Sequence, residues 1–252
     1  MFRPIYLHRI RGHAGKIFHS LFPQGYDGEI FLCGGAFKPL LKRGAPLHDL
    51  DLWVRNREER EKLCHALLKR GATLVHDFHP YCAQFRLDGQ LIEITYHNVT
   101  DGTIADVLNT FDLTISGIGV RYDHGGIAEI HLSEECWHTI HTRQVTVQES
   151  HLGLLFLQKP ASLLRTLHRL GQHAVELGYD VNEDCEHRLW SLYWDEYTEE
   201  ERRAAMDLYF ETMVAHQGRH DAHLVRRALV GYAPITKNRA DMQPLILVPK
   251  AA

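Results

Sequence analysis

The spacing of hydrophobic and polar positions changes character past the middle of the chain. Before about residue 150, short apolar runs alternate with amphipathic stretches, which predicts strands interleaved with helices. After about residue 160 the spacing is helical, without a convincing strand. The pattern therefore predicts an α+β fold in two domains, 1–150 and 151–252. The first has a short mixed β-sheet flanked by helices, and the second is entirely helical.

The first domain also contains turn signals that fix the order of its elements. Strands are predicted at EIFLC, DLDLWV, TLVHDF, AQFRL, LIEITYH, LTISGIGVRYD and AEIHLS. Tight hairpin turns are expected at Asp88-Gly89 and around His124-Gly125-Gly126. Helices are predicted at FKPLLKRG, at EEREKLCHALLKRG with Gly71 as its C-cap, and at TIADVLNTF with Thr103 near its start.

Four helices are predicted in the second domain, the first of them starting near Pro160. The segment HRLWSLYWDEYTEEE is rich in aromatic residues, and Trp190, Tyr193 or Trp194 could either stack on nucleobases or form the core. Helix-spaced aromatics are more often core residues. The tail from Ala233 onward has weak periodicity and is expected to be irregular.

Composition narrows the class of protein. A hydrophobic content of 44%, a charged content of 24% and a mean hydropathy of -0.28 are typical of a globular chain, and no apolar run approaches a bilayer span. The N-terminus lacks a secretory signal pattern, so a cytoplasmic location without a membrane partner is expected. The five cysteines form no CxxC pair, which predicts free thiols rather than a zinc ribbon.

Two short motifs carry the candidate chemistry. A strand runs into Gly34-Gly35, and the next strand begins with Asp49 and Asp51, whose side chains share one face by alternation. Carboxylate pairs of this kind bind hard divalent cations, and glycines allow a triphosphate to approach the backbone closely. Lys38 would add a positive charge. Either motif alone is more often a plain turn or a solvated strand edge, but their combination at this spacing favours a nucleotide site.

The stretch GGAFKPLLKRGAPLHDLDLWV resembles the head-domain signature of CCA-adding enzymes and bacterial poly(A) polymerases, members of the polymerase-beta-like nucleotidyltransferase superfamily. Two further segments, FDLTISGIGVRYD and LLRTLHRLGQHAVELGYDVNED, resemble later motifs of that family and follow in the same order. The resemblance covers roughly residues 29–185.

This resemblance implies a metal-dependent active site. Asp49 and Asp51 would bind catalytic Mg2+ or Mn2+, and Gly34 and Gly35 would hold the triphosphate. Superfamily members usually supply a third carboxylate from a strand beside the two aspartates. Glu93 is the candidate for it, although an ordinary exposed strand glutamate explains it equally well.

The later motifs imply further nucleotide contacts. Asp112 would contact the ribose of the incoming nucleotide, and Arg165 and Arg169 would face the nucleotide from a helix of the second domain. The sequence also departs from the family, with Lys38-Pro39 in place of arginine-aspartate. At 158–162 it has QKPAS in place of the acidic and arginine residues that read the base, which argues against ordered CCA synthesis.

Together these features predict an enzyme, a nucleotidyltransferase that moves a nucleoside monophosphate from an NTP to an acceptor hydroxyl and releases pyrophosphate. The favoured acceptor is an RNA 3′ end, with tRNA among the candidates. Two alternatives stay open: transfer to a protein or small molecule, which a net charge of -4 permits, and a non-catalytic nucleotide-binding protein.

Overall fold

A computed structural model describes residues 2–45, 47–79, 82–96, 102–155, 159–211 and residue 228. By its contacts the chain separates into two compact units. The first comprises Met1–His151 together with a return segment, His173–Val181, and the second comprises Leu152–Gln172 and Asn182–Ala252. The domains expected from the sequence, 1–150 and 151–252, place this return segment in the second domain, whereas its contacts place it in the first unit.

A seven-stranded mixed sheet forms the centre of the first unit, in the order β3-β4-β5-β2-β1-β6-β7. β2 and β5 are parallel, and the other neighbouring pairs are antiparallel. The strands are β1 (Glu29–Cys33), β2 (Asp49–Val54), β3 (Thr73–Phe78), β4 (Cys82–Leu87), β5 (Gln90–Tyr96), β6 (Ile118–Asp123) and β7 (Gly126–Leu132). A separate parallel pair consists of β8 (Gln144–Val145) and β9 (Asp180–Val181). The mixed sheet predicted from the sequence is confirmed.

Helices accompany the sheet in the first unit and continue into the second. They are α1 (Arg3–Leu21), α2 (Lys38–Leu41), α3 (Arg57–Lys69), α4 (Ile104–Leu108), α5 (Glu134–Thr142), α6 (Glu149–Leu155), α7 (Pro160–Leu177), α8 (Glu183–Asp195) and α9 (Glu199–Tyr209). In the described residues, no helix is both long and apolar enough to cross a bilayer.

One face of the sheet carries the main core. α1 contributes a stripe of side chains spaced mostly by four residues, among them Tyr6, Ile10 and Phe18, all almost fully buried. These side chains belong to the same buried cluster as Leu50 and Leu52 of β2 and the apolar side chains of α3. Burial of this continuous apolar surface is the main stabilising contribution to the unit.

Among the described residues, the opposite face carries a smaller cluster that covers only part of its width. Phe31 and Cys33 of β1 form a small buried cluster with Ile104, Val107 and Leu108 of α4. Asn56 and Thr103 cap the N-termini of α3 and α4, and Thr103 forms a capping box with Asp106, as its position near the start of the helix indicated.

In its described residues the second unit is helical, as predicted. Asn182 and Thr198 cap α8 and α9, and Arg202 packs its guanidinium over the Trp194 ring while donating to the Trp194 backbone carbonyl at 3.1 Å. Trp190 and Tyr193 are fully buried, so they are core residues rather than an exposed stacking platform. The fourth predicted helix, apart from residue 228, and the tail from Ala233 lie outside the described residues.

Candidate functional site

The two aspartates of β2 lie on the partly covered face of the sheet. Along this strand Leu50, Leu52 and Val54 are buried, whereas Asp49 and Asp51 are half-exposed. The period-two alternation therefore gives the strand a core face, with the leucines, and a chemical face, with the two aspartates. Asp49 and Asp51 share one face, as the sequence predicts.

The glycine turn lies directly against this carboxylate pair. A Cβ atom at Gly34 would stand 3.4 Å from Oδ2 of Asp51, and one at Gly35 would stand 3.6 Å from Oδ1 of Asp49. Gly34 has a φ of +63°, a left-handed conformation that side chains rarely adopt. Each glycine thus faces one aspartate, and the missing side chains leave space beside the carboxylate oxygens.

A polar row crosses the sheet from Asp51. Asp51 pairs with Glu93 of β5 on one side and with Cys33 of β1 on the other, and Glu93 accepts a hydrogen bond from Gln84 Nε2 at 2.8 Å. Complete burial, with the negative charge of Asp51, holds the pKa of the Cys33 thiol well above its ordinary value. Cys33 is therefore a neutral packing residue.

This donor set suits a hard cation that also binds a ligand. Asp49 and Asp51 supply carboxylate oxygens beside an opening that a Cβ would fill, which fits Mg2+ or Mn2+. Among the described residues, no three histidine, cysteine, aspartate or glutamate side chains could hold an ion together. The two aspartates would thus need oxygens from a nucleotide or water, and the role of Glu93 stays a prediction.

Two aromatic side chains line the site beside the aspartates. Phe111 Cε1 lies 3.2 Å from the position of a Gly34 Cβ, and its ring packs edge-on against Trp53, the next residue on the aspartate face of β2. Asp112 follows Phe111 and is buried. Its backbone carbonyl accepts a hydrogen bond from the backbone N–H of Gln148 at 2.9 Å. The backbone is fixed here, whereas the ribose contact assigned to Asp112 stays a prediction.

Lys38 is beside the glycine turn but is already ion-paired. Its Cε lies 4.0 Å from the position of a Gly35 Cβ, and its Nζ lies 2.8 Å from Oε2 of Glu176 in the return segment. His173 Nδ1 approaches the same oxygen at 3.1 Å, and His48 Nε2 lies 3.5 Å from the other oxygen. The positive charge expected of Lys38 is thus largely compensated.

Glu176 is ionised in this setting. Burial alone would raise the pKa of its carboxyl, but hydrogen bonds from His173 and Lys38 and the charge of Lys38 hold that pKa far below its ordinary value. The carboxylate therefore keeps its charge throughout the physiological range. It provides a permanent anion beside Lys38.

Two arginines are expected to face the nucleotide. Arg165 and Arg169 are on α7, within the part assigned to the second unit, and Arg165 is exposed. The segment 158–162 stands where the family reads the base. Its first residue, Gln158, lies outside the described residues, which resume at Lys159. The roles given to these residues from the resemblance stay predictions.

Sequence reasoning missed Glu176, Phe111 and Trp53 as neighbours of the site. Phe111 and Trp53 flank residues that the motifs identified, so their positions beside Asp112 and Asp51 were a usable signal. Glu176 gave none, because it meets Lys38 across 138 positions of the chain. Only the tertiary structure brings the return segment to the glycine turn.

The comparisons with known proteins agree with this architecture. No protein-family model matches the sequence, and curated proteins yield no significant match. The structure is similar to an apo CCA-adding enzyme, with 21% identity, a TM-score of 0.55, and coverage of 92% of this chain and 54% of that one. A CCA-adding enzyme in complex with ATP matches at 18% identity and a TM-score of 0.54, covering 89% and 51%.

A third similar structure is a tRNA nucleotidyltransferase with a primer tRNA and an incoming ATP analogue. It matches at 16% identity and a TM-score of 0.50, covering 84% of this chain and 64% of that one. The chain thus spans between about half and two thirds of the length of these structures. At such identities the similarity shows the fold alone, which this chain shares with these CCA-adding enzymes.

Proposed function

We propose that the protein is a nucleotidyltransferase that transfers a nucleoside monophosphate from an NTP to the 3′ hydroxyl of an RNA and releases pyrophosphate. The observation that carries the proposal is that each glycine faces one aspartate: Cβ atoms at Gly34 and Gly35 would stand 3.4 Å from Asp51 Oδ2 and 3.6 Å from Asp49 Oδ1. This arrangement places an open backbone turn beside two carboxylates, as a metal-bound triphosphate requires. The similar structures that contain ATP or a primer tRNA support the choice of substrates.

The residues of the chain divide the work between binding and charge. Asp49 and Asp51 would hold the divalent cation. When bound, Mg2+ or Mn2+ would neutralise phosphate charge and lower the pKa of the acceptor hydroxyl. Gly34 and Gly35 leave room for phosphate oxygens, and the Phe111 and Trp53 rings limit the space beyond them. Catalysis would therefore depend mainly on positioning and electrostatics rather than on a covalent intermediate.

The direct test is a labelling assay with each of the four α-labelled NTPs, Mg2+ or Mn2+, and a mixture of cellular RNA and protein. We expect metal-dependent label that ribonuclease removes and protease does not, and that is absent when a chelator is added. Asp49→Asn serves as the inactive control. Label that only protease removes would instead identify a protein acceptor.

The assay also measures base choice. Because the chain has lysine and serine where the family reads the base edge, we expect no ordered addition of two cytidines and one adenosine to a tRNA that lacks its terminal nucleotides. No incorporation with any nucleotide, metal or acceptor would refute the proposed activity.

A further inference from the structure

Glu176 connects the two segments of the chain that carry the candidate chemistry. One carboxylate oxygen accepts a hydrogen bond from Lys38 Nζ at 2.8 Å, and the other lies 3.5 Å from His48 Nε2. Lys38 belongs to the segment of the glycine turn, and His48 immediately precedes Asp49. A single anion is therefore in contact with both segments.

The location of Lys38 makes this contact relevant to nucleotide binding. Its Cε lies 4.0 Å from the position of a Gly35 Cβ, and Asp49 Oδ1 lies 3.6 Å from the same position. Lys38 and Glu176 are both largely buried, with side-chain exposures of 11% and 15%. A long, flexible lysine side chain loses rotamer freedom in such a pair, so its ammonium is held in one place before a ligand binds.

The backbone around Glu176 is anchored without its carboxylate. Lys42 Nζ donates to the Glu176 backbone carbonyl at 2.8 Å, and the Tyr179 hydroxyl donates to the Leu41 carbonyl at 3.2 Å. The Asp180 amide donates to the Arg143 carbonyl at 2.9 Å, next to the β8–β9 pair. The return segment therefore has several attachments to the first unit, and the carboxylate can be altered while they remain.

We propose that Glu176 is a positioning residue for nucleotide binding, which holds the Lys38 ammonium at the glycine turn. The inference rests on the proposed function, since it assigns Lys38 to the phosphates of the NTP. Glu176 acts through Lys38 and does not itself touch the nucleotide. Its loss should therefore weaken nucleotide binding more than it slows transfer.

The test compares Glu176→Ala, Glu176→Gln and Lys38→Met in steady-state transfer with the best NTP and Mg2+, beside direct titration of that NTP. For Glu176→Ala we expect the KM to rise about tenfold, as for coupled polar pairs, with kcat little changed. Glu176→Gln keeps a hydrogen-bond acceptor at the same place and should recover part of the loss. In the Lys38→Met background, Glu176→Ala should add nothing.

Tyr179→Phe is the matched control, because it removes a hydrogen bond of the same segment and leaves the carboxylate intact. Its KM should equal that of the wild type, with thermal melts confirming that every variant folds. An equal rise of KM in Tyr179→Phe, additive effects in the double variant, or tighter nucleotide binding in Glu176→Ala would each overturn the inference. A wild-type protein that binds no NTP overturns the proposed function and the inference together, whereas an active wild type matched by Glu176→Ala overturns only the inference.

Discussion

The two faces of the seven-stranded sheet differ in the side chains that the same strand, β2, contributes to them. On one face, Leu50 and Leu52 of β2 are buried in the large cluster that includes α1 and α3. On the other, Asp49 and Asp51 stay half-exposed beside a glycine turn, while α4 packs on the neighbouring strand β1 and on β6. One face therefore stabilises the fold and the other provides the candidate chemistry, so substitutions on the two faces should have separable effects.

The largest expected effect is on the chemical face. Asp49→Ala or Asp51→Ala should reduce transfer by more than about 100-fold, since removal of a direct metal ligand should cost more than removal of an outer-sphere partner. The free energy of unfolding should change little, because both side chains are half-exposed. Initial rates with labelled NTP, measured beside urea unfolding curves, test both statements. Near-wild-type transfer in either variant would refute the metal assignment.

The matched substitution on the core face should show the reverse pattern. Leu52 is fully buried, so Leu52→Ala should lower the free energy of unfolding by about 2–5 kcal/mol. Transfer by the folded fraction, measured well below the melting temperature, should stay near the wild-type rate. The control is Leu74→Ala on the exposed edge strand β3, which should cost less than about 0.5 kcal/mol. Equal losses in the two variants would contradict the division between the faces.

The glycine turn allows the two kinds of effect to be separated at a single residue type. Gly34 and Gly71 both have positive φ, so alanine at either should cost about 1–2 kcal/mol of stability. Only at Gly34 would the new Cβ meet other atoms, with Phe111 at 3.2 Å and Asp51 at 3.4 Å, because the space around Gly71 is open. Gly34→Ala should therefore also raise the KM for the nucleotide, and Gly71→Ala should not. Equal KM values would show that the opening beside Asp51 is not used.

The chemical face was largely predictable from the sequence because its signals are local. Alternation along DLDLWV places Asp49 and Asp51 together, and Gly71 lies just beyond the end of α3, as the helix pattern requires. The core face was less predictable. Gly12 and Gly15 lie within α1 and lower its helix propensity, and its stripe at Tyr6 and Ile10 becomes clear only once the sheet is seen.

Long-range contacts explain the remaining differences. LTIS was predicted to begin a strand, but Thr114–Ser116 forms a 3-10 turn, and the strand begins at Ile118. The Thr114 and Thr139 hydroxyl groups, 25 positions apart, form a hydrogen bond of 2.7 Å. No local pattern indicates such a contact. The same reasoning applies to the attachment of the return segment, which the sequence placed in the helical domain.

The smallest expected effect concerns charged residues that share the face of the aspartates but lie outside the site. Glu29 of β1 forms ion pairs with Arg55 and with Arg121, the latter at 3.1 Å. Burial opposes ionisation of Glu29, but hydrogen bonds from both arginines hold its pKa below the ordinary value of 4.5. Because the folded-state pKa is lowered, the stabilisation is complete above about pH 4.5 and is lost as the pH falls through the lowered value.

Glu29→Gln should therefore lower stability by about 1 kcal/mol at pH 7, with transfer unchanged. The difference from the wild type should shrink below pH 4.5, since protonation removes the charge that the substitution has already removed. Urea midpoints at pH 7, 4 and 3 measure this. The control is Glu58→Gln on α3, whose exposed ion pair with Lys62 should contribute much less to stability than the pairs of Glu29. A difference that persists undiminished at pH 3 would contradict the ion-pair explanation. A fall in transfer at pH 7 would instead extend the functional part of this face from Asp51 to Glu29.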